Sequence, residues 1–266
     1  MSGDETFALL AFGALAAWTW YAWYVPAISV ERLGAASPGR ALVQWWPVVC
    51  ALTLFGVLKT ISAHDVRDDI LYLMFYMVLG AGWLGAATKL LPFAGVSARD
   101  DILERGNAAA VPAVAGALLA CTLCFAGGNV GDGPGWWVVV FSAGLATATL
   151  AALWLLFDWI TGISDSITVE RDPAAGIRLG GLLVAAGLVL SRGVAGDWVS
   201  TPATVRDFVV AAWPVLVLFA GAAVLERVGR PTPERSAPSP TTFGLLPATL
   251  YLAAAVANVV RLGPAW

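Results

Sequence analysis

Three ionisable residues lie near the ends of long apolar stretches of the chain, where charged side chains are rare. They are Lys89, Asp158 and Glu226, and we expect them at similar depth if these stretches span a membrane. Ionisable residues at membrane depth cost free energy and tend to mark paths for ions or protons. The three residues are therefore candidates for an ion path. The alternative is structural, because Lys89 and Asp158 could pair with each other or extend to the interface.

Four of the Glu-Arg dipeptides in the chain follow one another at intervals of 73, 66 and 64 residues. A nearly constant period indicates an internal repeat. The four pairs could form a ring of ion-handling groups, or they could be structural turns in which Glu favours a helix N-terminus and Arg the cytoplasmic side. In the second case we expect each charge to pair with a residue of a neighbouring repeat. The pairs are Glu31-Arg32, Glu104-Arg105, Glu170-Arg171 and Glu234-Arg235.

Residues typical of catalytic and metal centres are scarce. His64 is the only histidine, so a zinc site with several imidazoles within one chain is excluded, and catalysis lacks its usual base. Cys121 and Cys124 have the spacing of a redox or metal pair, but they lie in an apolar stretch without a second pair, which favours packing. We therefore expect no catalytic residue, no metal, no cofactor and no enzyme activity. The acidic residues beside His64 could hold a divalent cation or simply be solvated.

Composition identifies the class of protein. Of the 266 residues, 59% are hydrophobic and only 12% are charged, which is typical of a polytopic membrane protein. The net charge of −3 and the scattered basic residues argue against a nucleic-acid partner. A helix needs about 20 apolar residues to cross the bilayer. Eight such runs are present: Phe7 to Pro26, Ala41 to Ser62, Ile70 to Leu91, Ala108 to Phe125, Trp136 to Ile160, Ala174 to Leu190, Asp207 to Leu225 and Phe243 to Leu262.

These runs predict an all-α membrane protein of about eight transmembrane helices in four sequence-related hairpins. A helix-capping residue follows each Glu-Arg pair, at Ser37, Asn107, Asp172 and Ser239. The second helix of each hairpin is expected to begin there. Arg178, about one turn inside the sixth helix, is expected to extend to the interface. The glycine-rich loop of residues 127–135 lacks the Lys-Ser or Lys-Thr of a phosphate loop and predicts a flexible turn at the other side.

Two of the turns share a longer pattern, and this pattern resembles a known family. The stretches are Gly95-Val96-Ser97 with Leu103-Glu104-Arg105-Gly106-Asn107, and Gly162-Ile163-Ser164 with Val169-Glu170-Arg171-Asp172. The pattern is similar to that of domain-of-unknown-function family 350, a prokaryotic inner-membrane module made of two hairpins. The clearest match covers Tyr72 to Asp197. The resemblance implies two tandem modules, residues 1–131 and 132–266, and it implies location and topology but no catalytic residue.

The distribution of basic residues predicts the orientation. Ten Lys and Arg residues lie on the side of the Glu-Arg turns and five on the other side. The positive-inside rule then places the turns in the cytoplasm and both termini outside. Our first functional hypothesis is a channel or transporter for a small ion or solute. The alternative is a non-enzymatic scaffold or accessory subunit whose partner, besides the bilayer, is a second copy or another membrane protein.

Overall fold

The computed structural model describes residues 2–32, 39–229 and 239–264. Within these ranges the chain is helical and has no strand. The main helices are α1 (Gly3–Arg32), α2 (Arg40–Thr60), α3 (His64–Asp68), α4 (Ile70–Leu90), α5 (Ala110–Gly127), α6 (Trp136–Thr161), α7 (Ile163–Thr168), α8 (Pro173–Val194), α9 (Thr201–Ala212), α10 (Pro214–Gly229) and α11 (Leu246–Leu262). Three short turns complete the described secondary structure: a 3₁₀ turn at Leu91–Ala94, and π-helical turns at Ala98–Glu104 and Pro240–Leu245.

Seven helices in the described part of the chain are long and apolar enough to cross a membrane. An eighth span results if α9 and α10, which meet at an angle of 41°, are counted as one broken helix. The break coincides with Pro214, which has no N–H to donate to the carbonyl of Val210 and therefore interrupts the helical hydrogen bonds. The predicted all-α membrane fold with about eight spans is confirmed.

The loops and chain ends gather on two faces of the bundle. The Trp136 indole donates a hydrogen bond to Asp4, 3.2 Å away, and Arg192 donates to the carbonyl of Gly263, 3.0 Å away. Both chain ends therefore lie on one face, which we call the termini face. It includes residues 61–69, 128–135 and 195–200. The opposite face, which we call the turn face, includes residues 91–109 and 162–172.

Helices α5 and α8 form the centre of the bundle. In α5 and in α8, 72% of the most apolar 18-residue segment is buried inside the protein, against 17% in α1. Glycines of α8 form the contact between the two helices. A methyl group at Gly176 would collide with the carbonyl oxygen of Ala109, and one at Gly180 would collide with that of Pro112. Close approach of small residues is how helices pack in a medium where burial of apolar surface provides little driving force. The α5–α8 pair is thus the fixed frame for the other helices.

The first Glu-Arg pair differs from the prediction. We expected it in a turn after Pro26, but the backbone of α1 stays helical through Glu31 and Arg32. A proline removes only one helical hydrogen bond, and a neighbouring helix can support the interruption inside a membrane bundle. The expected cap at Ser37 and the last pair, Glu234-Arg235, lie outside the described residues.

Candidate functional site

The turns before α5 and α8 have matching backbones 65 residues apart. Gly106 and Arg171 both adopt a left-handed conformation, with φ of 62° and 56°. The next residue in each turn donates its N–H to a carbonyl six residues earlier, from Asn107 to Asp101 over 2.8 Å and from Asp172 to Ser166 over 2.9 Å. This match aligns Gly106 with Arg171. The two Glu-Arg pairs are therefore displaced by one residue relative to each other and do not occupy equivalent backbone positions.

The side chains after these left-handed residues cap the central helices. Asn107 Oδ1 accepts a hydrogen bond from Ala109 N over 3.0 Å, and Asp172 Oδ1 accepts one from Ala174 N over 2.9 Å. Each bond satisfies a backbone N–H that has no partner in the first helical turn. Ser239 likewise accepts from the N–H of Thr242, 3.2 Å away. These three predicted caps are confirmed.

The charges of the second Glu-Arg pair are paired within their own turn. Glu104 accepts a hydrogen bond from Arg99 over 2.9 Å, and Arg105 reaches the buried carboxylate of Asp101 over 3.2 Å. The π-helical geometry explains the first pair, because residues five apart then lie on the same face. The expected pairing of these two residues across repeats is therefore wrong. In the third pair, Glu170 and Arg171 are both exposed.

Lys89 and Asp158 lie near the turn face and do not pair with each other. Lys89 Nζ is 5.4 Å from the centre of the Trp18 ring, a cation–π contact. Asp158 Oδ1 accepts a hydrogen bond from the N–H of Ser164 over 2.8 Å, across the left-handed Gly162. The Asp158 carboxylate thus supports the start of α7. Their role in an ion path stays a prediction.

Glu226 forms the most buried ion pair of the described residues. Its partner is Arg178, which donates from Nε to Oε1 and from Nη2 to Oε2, the latter over 2.8 Å. Only 3% of Arg178 and 9% of Glu226 is exposed. Two parallel hydrogen bonds from a guanidinium to a carboxylate fix both side chains. Arg178 therefore does not extend to the interface as expected, but points to a carboxylate at similar depth.

Arg178 has two further partners at the turn face. Its Nη1 donates to the carbonyl of Phe243 over 2.8 Å, and its guanidinium lies 4.5 Å from the centre of the Phe243 ring. The carboxylate of Asp172 lies 3.8 Å from Nη2. We call Arg178, Glu226, Asp172 and Phe243 the Arg178 cluster. It joins α8 to α10 and to the turn before α11, and its formal charge is −1.

The Arg178 cluster has no features of a metal or cofactor centre. Among residues 2–32, 39–229 and 239–264, no group of three or more His, Cys, Asp or Glu side chains could hold a metal ion. Sequence reasoning identified Glu226 but missed its pairing with Arg178. The sequence did carry one sign of this pair. Arg178 and Glu226 each lie about one turn from the turn-face end of their helix, where an unpaired charge would be costly.

The central part of the chain matches a known protein family. The family model described as Domain of Unknown Function (DUF350) matches residues 65–194. The match extends from α3 to the end of α8, includes both matching turns, and crosses the boundary at residue 131 that the sequence predicts between two modules. No curated protein and no solved structure matches the chain. Residues 65–194 therefore match the DUF350 family, as the motif resemblance predicted.

Proposed function

We propose that this membrane protein passes a small ion or solute across the bilayer, and that Glu226 and Arg178 form a gate on its path. The observation that carries the proposal is their buried ion pair, which joins α8 to α10. Helix α8 is fixed by its glycine contacts with α5, whereas α10 is half of a broken span. Broken helices that meet ionisable groups inside a bundle are a recurrent feature of transport sites.

The Arg178 cluster offers a way to open this gate. Protonation of Glu226, or arrival of a cation at its carboxylate, weakens the attraction to Arg178. Asp172, 3.8 Å from Arg178 Nη2, then provides a second carboxylate for the same guanidinium. Exchange of the partner releases α10 from α8. The net negative charge of the cluster favours a proton or a small cation as the transported species.

Flux measurements on reconstituted protein test this proposal. We expect Glu226→Gln to remove most of the proton or cation flux into liposomes, because the amide weakens the attraction to Arg178 but can no longer take up a proton or hold a cation on the path. Lys89→Gln and Asp158→Asn test the other two predicted path residues in the same assay. Glu104→Gln is the matched control, since Glu104 is half exposed at the turn face and pairs locally with Arg99. Wild-type flux in Glu226→Gln would contradict the proposal.

We infer that the chain lies in a prokaryotic inner membrane with the turn face in the cytoplasm. The twofold excess of Lys and Arg that the sequence predicts on the side of the Glu-Arg turns supports this orientation. Single cysteines placed at Glu170 and at Asp68, in a chain lacking the three native thiols, test it. An impermeant maleimide added outside should label the cysteine at 68 and leave that at 170 unreacted. Labelling at 170 alone would reverse the orientation.

A second candidate is a non-enzymatic scaffold or accessory subunit. The exposed turn before α8 favours it, because Val169 is 74% exposed beside the exposed charges Glu170 and Arg171. An exposed apolar residue flanked by charges is suited to binding a second copy or another membrane protein. Charge reversal at Glu104 and Glu170 should then release a co-purified partner, while liposomes show no conductance. A partner retained by both variants would argue against this candidate.

A further inference from the structure

A small cavity lies at the termini face, beneath the loop that joins α5 to α6. Its volume is about 40 Å³, which is enough for one ion or one or two water molecules. We call it the Asn129 cavity. Its polar lining includes Asp65, Asn129, Asp132, Ser142 and Thr204. It lies far along the bundle from the Arg178 cluster, at the opposite face.

Asn129 brings an unsatisfied oxygen to this cavity. Only 3% of the residue is exposed, and its Nδ2 donates to the carbonyl of Phe125 over 2.8 Å. This bond fixes which end of the amide is the donor, and Oδ1 has no hydrogen-bond partner. A buried acceptor without a partner destabilises the folded protein. Buried polar atoms of this kind are normally satisfied by a water molecule or an ion.

The charge around the cavity favours a cation over a neutral ligand. Asp65 and Asp132 stand at its mouth, and no Lys, Arg or His is among the residues that line it. Asp65 uses Oδ1 to accept from the N–H of Val66 over 2.9 Å, which leaves its other oxygen available. Amide, carboxylate and hydroxyl oxygens are the ligands that small hard cations prefer.

The walls of the cavity are held in place by contacts between two loops. Gly196 donates its N–H to the carbonyl of Val130 over 2.9 Å, and the N–H of Asp132 donates to Asp197 Oδ1 over 2.9 Å. Gly131 has φ of 101°, and a methyl group there would lie 2.7 Å from the N atom of Asp197 and closer still to Gly196. These contacts form the site before any ligand binds.

We propose that the Asn129 cavity binds a small hard cation, with Asn129 Oδ1 as the buried ligand and Asp65 and Asp132 at the mouth. The site is separate from the transport path proposed above and stabilises the loops of the termini face. This proposal is independent of the transport function proposed for the Arg178 cluster.

Thermal unfolding of the purified full chain in detergent tests the site without measuring flux. The melting temperature is measured in N-methylglucamine chloride and then with Na⁺, Mg²⁺ or Ca²⁺ at constant ionic strength. At least one of these ions should raise Tm by about 2–4 °C in a saturable manner. The variant Asn129→Leu, which has the same branched shape but no oxygen, should show no such rise. Absence of a rise with every ion in the wild-type chain would mean a water-filled cavity and overturn the proposal.

Two further variants separate the site from general surface charge. The double variant Asp65→Asn with Asp132→Asn should shift the half-saturating cation concentration upward, and it keeps the proposal testable if Asn129→Leu does not fold. Asp68→Asn is the matched control, because Asp68 lies on the same face, pairs with His64 and does not line the cavity. An equal shift in Asp68→Asn and in the double variant would overturn the proposal.

Discussion

The side-chain amide of Asn107 donates a hydrogen bond to the backbone carbonyl of Ile167, 2.8 Å away and 60 residues later in the chain. Both residues are buried. Ile167 belongs to the last turn of α7, where carbonyl groups have no helical partner. The same amide caps α5 through its Oδ1. One side chain thus satisfies two helix ends and joins the two matching turns.

Asn107→Asp should destabilise the protein by about 2 kcal/mol, because a carboxylate keeps the cap on Ala109 but cannot donate to the Ile167 carbonyl. The free energy of unfolding in mixed micelles, measured by titration with a denaturing detergent, gives the value. Asp100→Asn, the reverse exchange at an exposed position of the same turn, is the control and should change stability by less than about 0.5 kcal/mol. A loss in Asn107→Asp no larger than in this control would contradict the role of the buried bond.

Gly180→Ala should separate α5 from α8, because the added methyl group meets the backbone carbonyl of Pro112. Overpacking against backbone costs about 1–3 kcal/mol. The matched control is Gly221→Ala in α10, where a methyl group would have no atom within 4 Å. We expect this control to be neutral or to gain up to about 1 kcal/mol from helix propensity. Equal effects of the two substitutions on the free energy of unfolding would show that the close approach of α5 and α8 does not contribute to stability.

Arg171→Gly should stabilise the protein, because Arg171 is the one non-glycine residue of the described chain with positive φ. Glycine adopts the left-handed conformation without the clash of a Cβ atom, so we expect a gain of about 1 kcal/mol in unfolding free energy. The equivalent position in the other turn is already a glycine, Gly106. Arg171→Ala removes the same charge but keeps the side-chain carbon that causes the strain, so it should gain nothing. A gain of similar size in both variants would assign the effect to charge and not to backbone conformation.

The sequence was sufficient for the fold class, because apolar runs of membrane length and capping residues are local signals. Asn107 and Asp172 cap α5 and α8 as their types and positions predict. The one-residue displacement of the Glu-Arg pairs was not predicted. Gly106 is an extra residue between Arg105 and the cap Asn107, and only the backbone hydrogen bonds reveal that Gly106 is equivalent to Arg171. Side-chain pairing was not predictable in this way, because Arg178 and Glu226 are 48 residues apart on different helices.

The loop contacts at the termini face could have been predicted from a weaker repeat. Gly128 to Asp132 and Gly193 to Asp197 share the pattern Gly-x-x-Gly-Asp at a spacing of 65 residues. This spacing is the one that relates the backbones of the two turns on the opposite face. The glycine-rich loop was expected to be a flexible turn, yet Val130 accepts a backbone hydrogen bond from Gly196 of the second copy, and Asp132 accepts one from Trp198, the residue that follows this copy.

The Arg178–Glu226 pair should follow the energetics of a buried ion pair. Glu226→Leu alone leaves Arg178 buried without its main counter-charge, and Arg178→Met alone leaves Glu226 in the same state. Each should cost about 3–5 kcal/mol of unfolding free energy. The double variant Arg178→Met with Glu226→Leu removes both charges, and we expect it to recover most of the loss, because two apolar side chains of similar volume need no counter-charge.

A double-mutant cycle in the same unfolding assay measures this coupling, and flux measured in parallel separates stability from transport. If the pair is the gate, the double variant should be stable yet without flux, because no carboxylate remains there to take up a proton or a cation. Additive losses, with no recovery in the double variant, would show that Arg178 is stabilised chiefly by Asp172 and the Phe243 carbonyl instead of Glu226. Wild-type flux in a stable double variant would show that the ion pair is only a structural link between α8 and α10 and does not belong to the transport path.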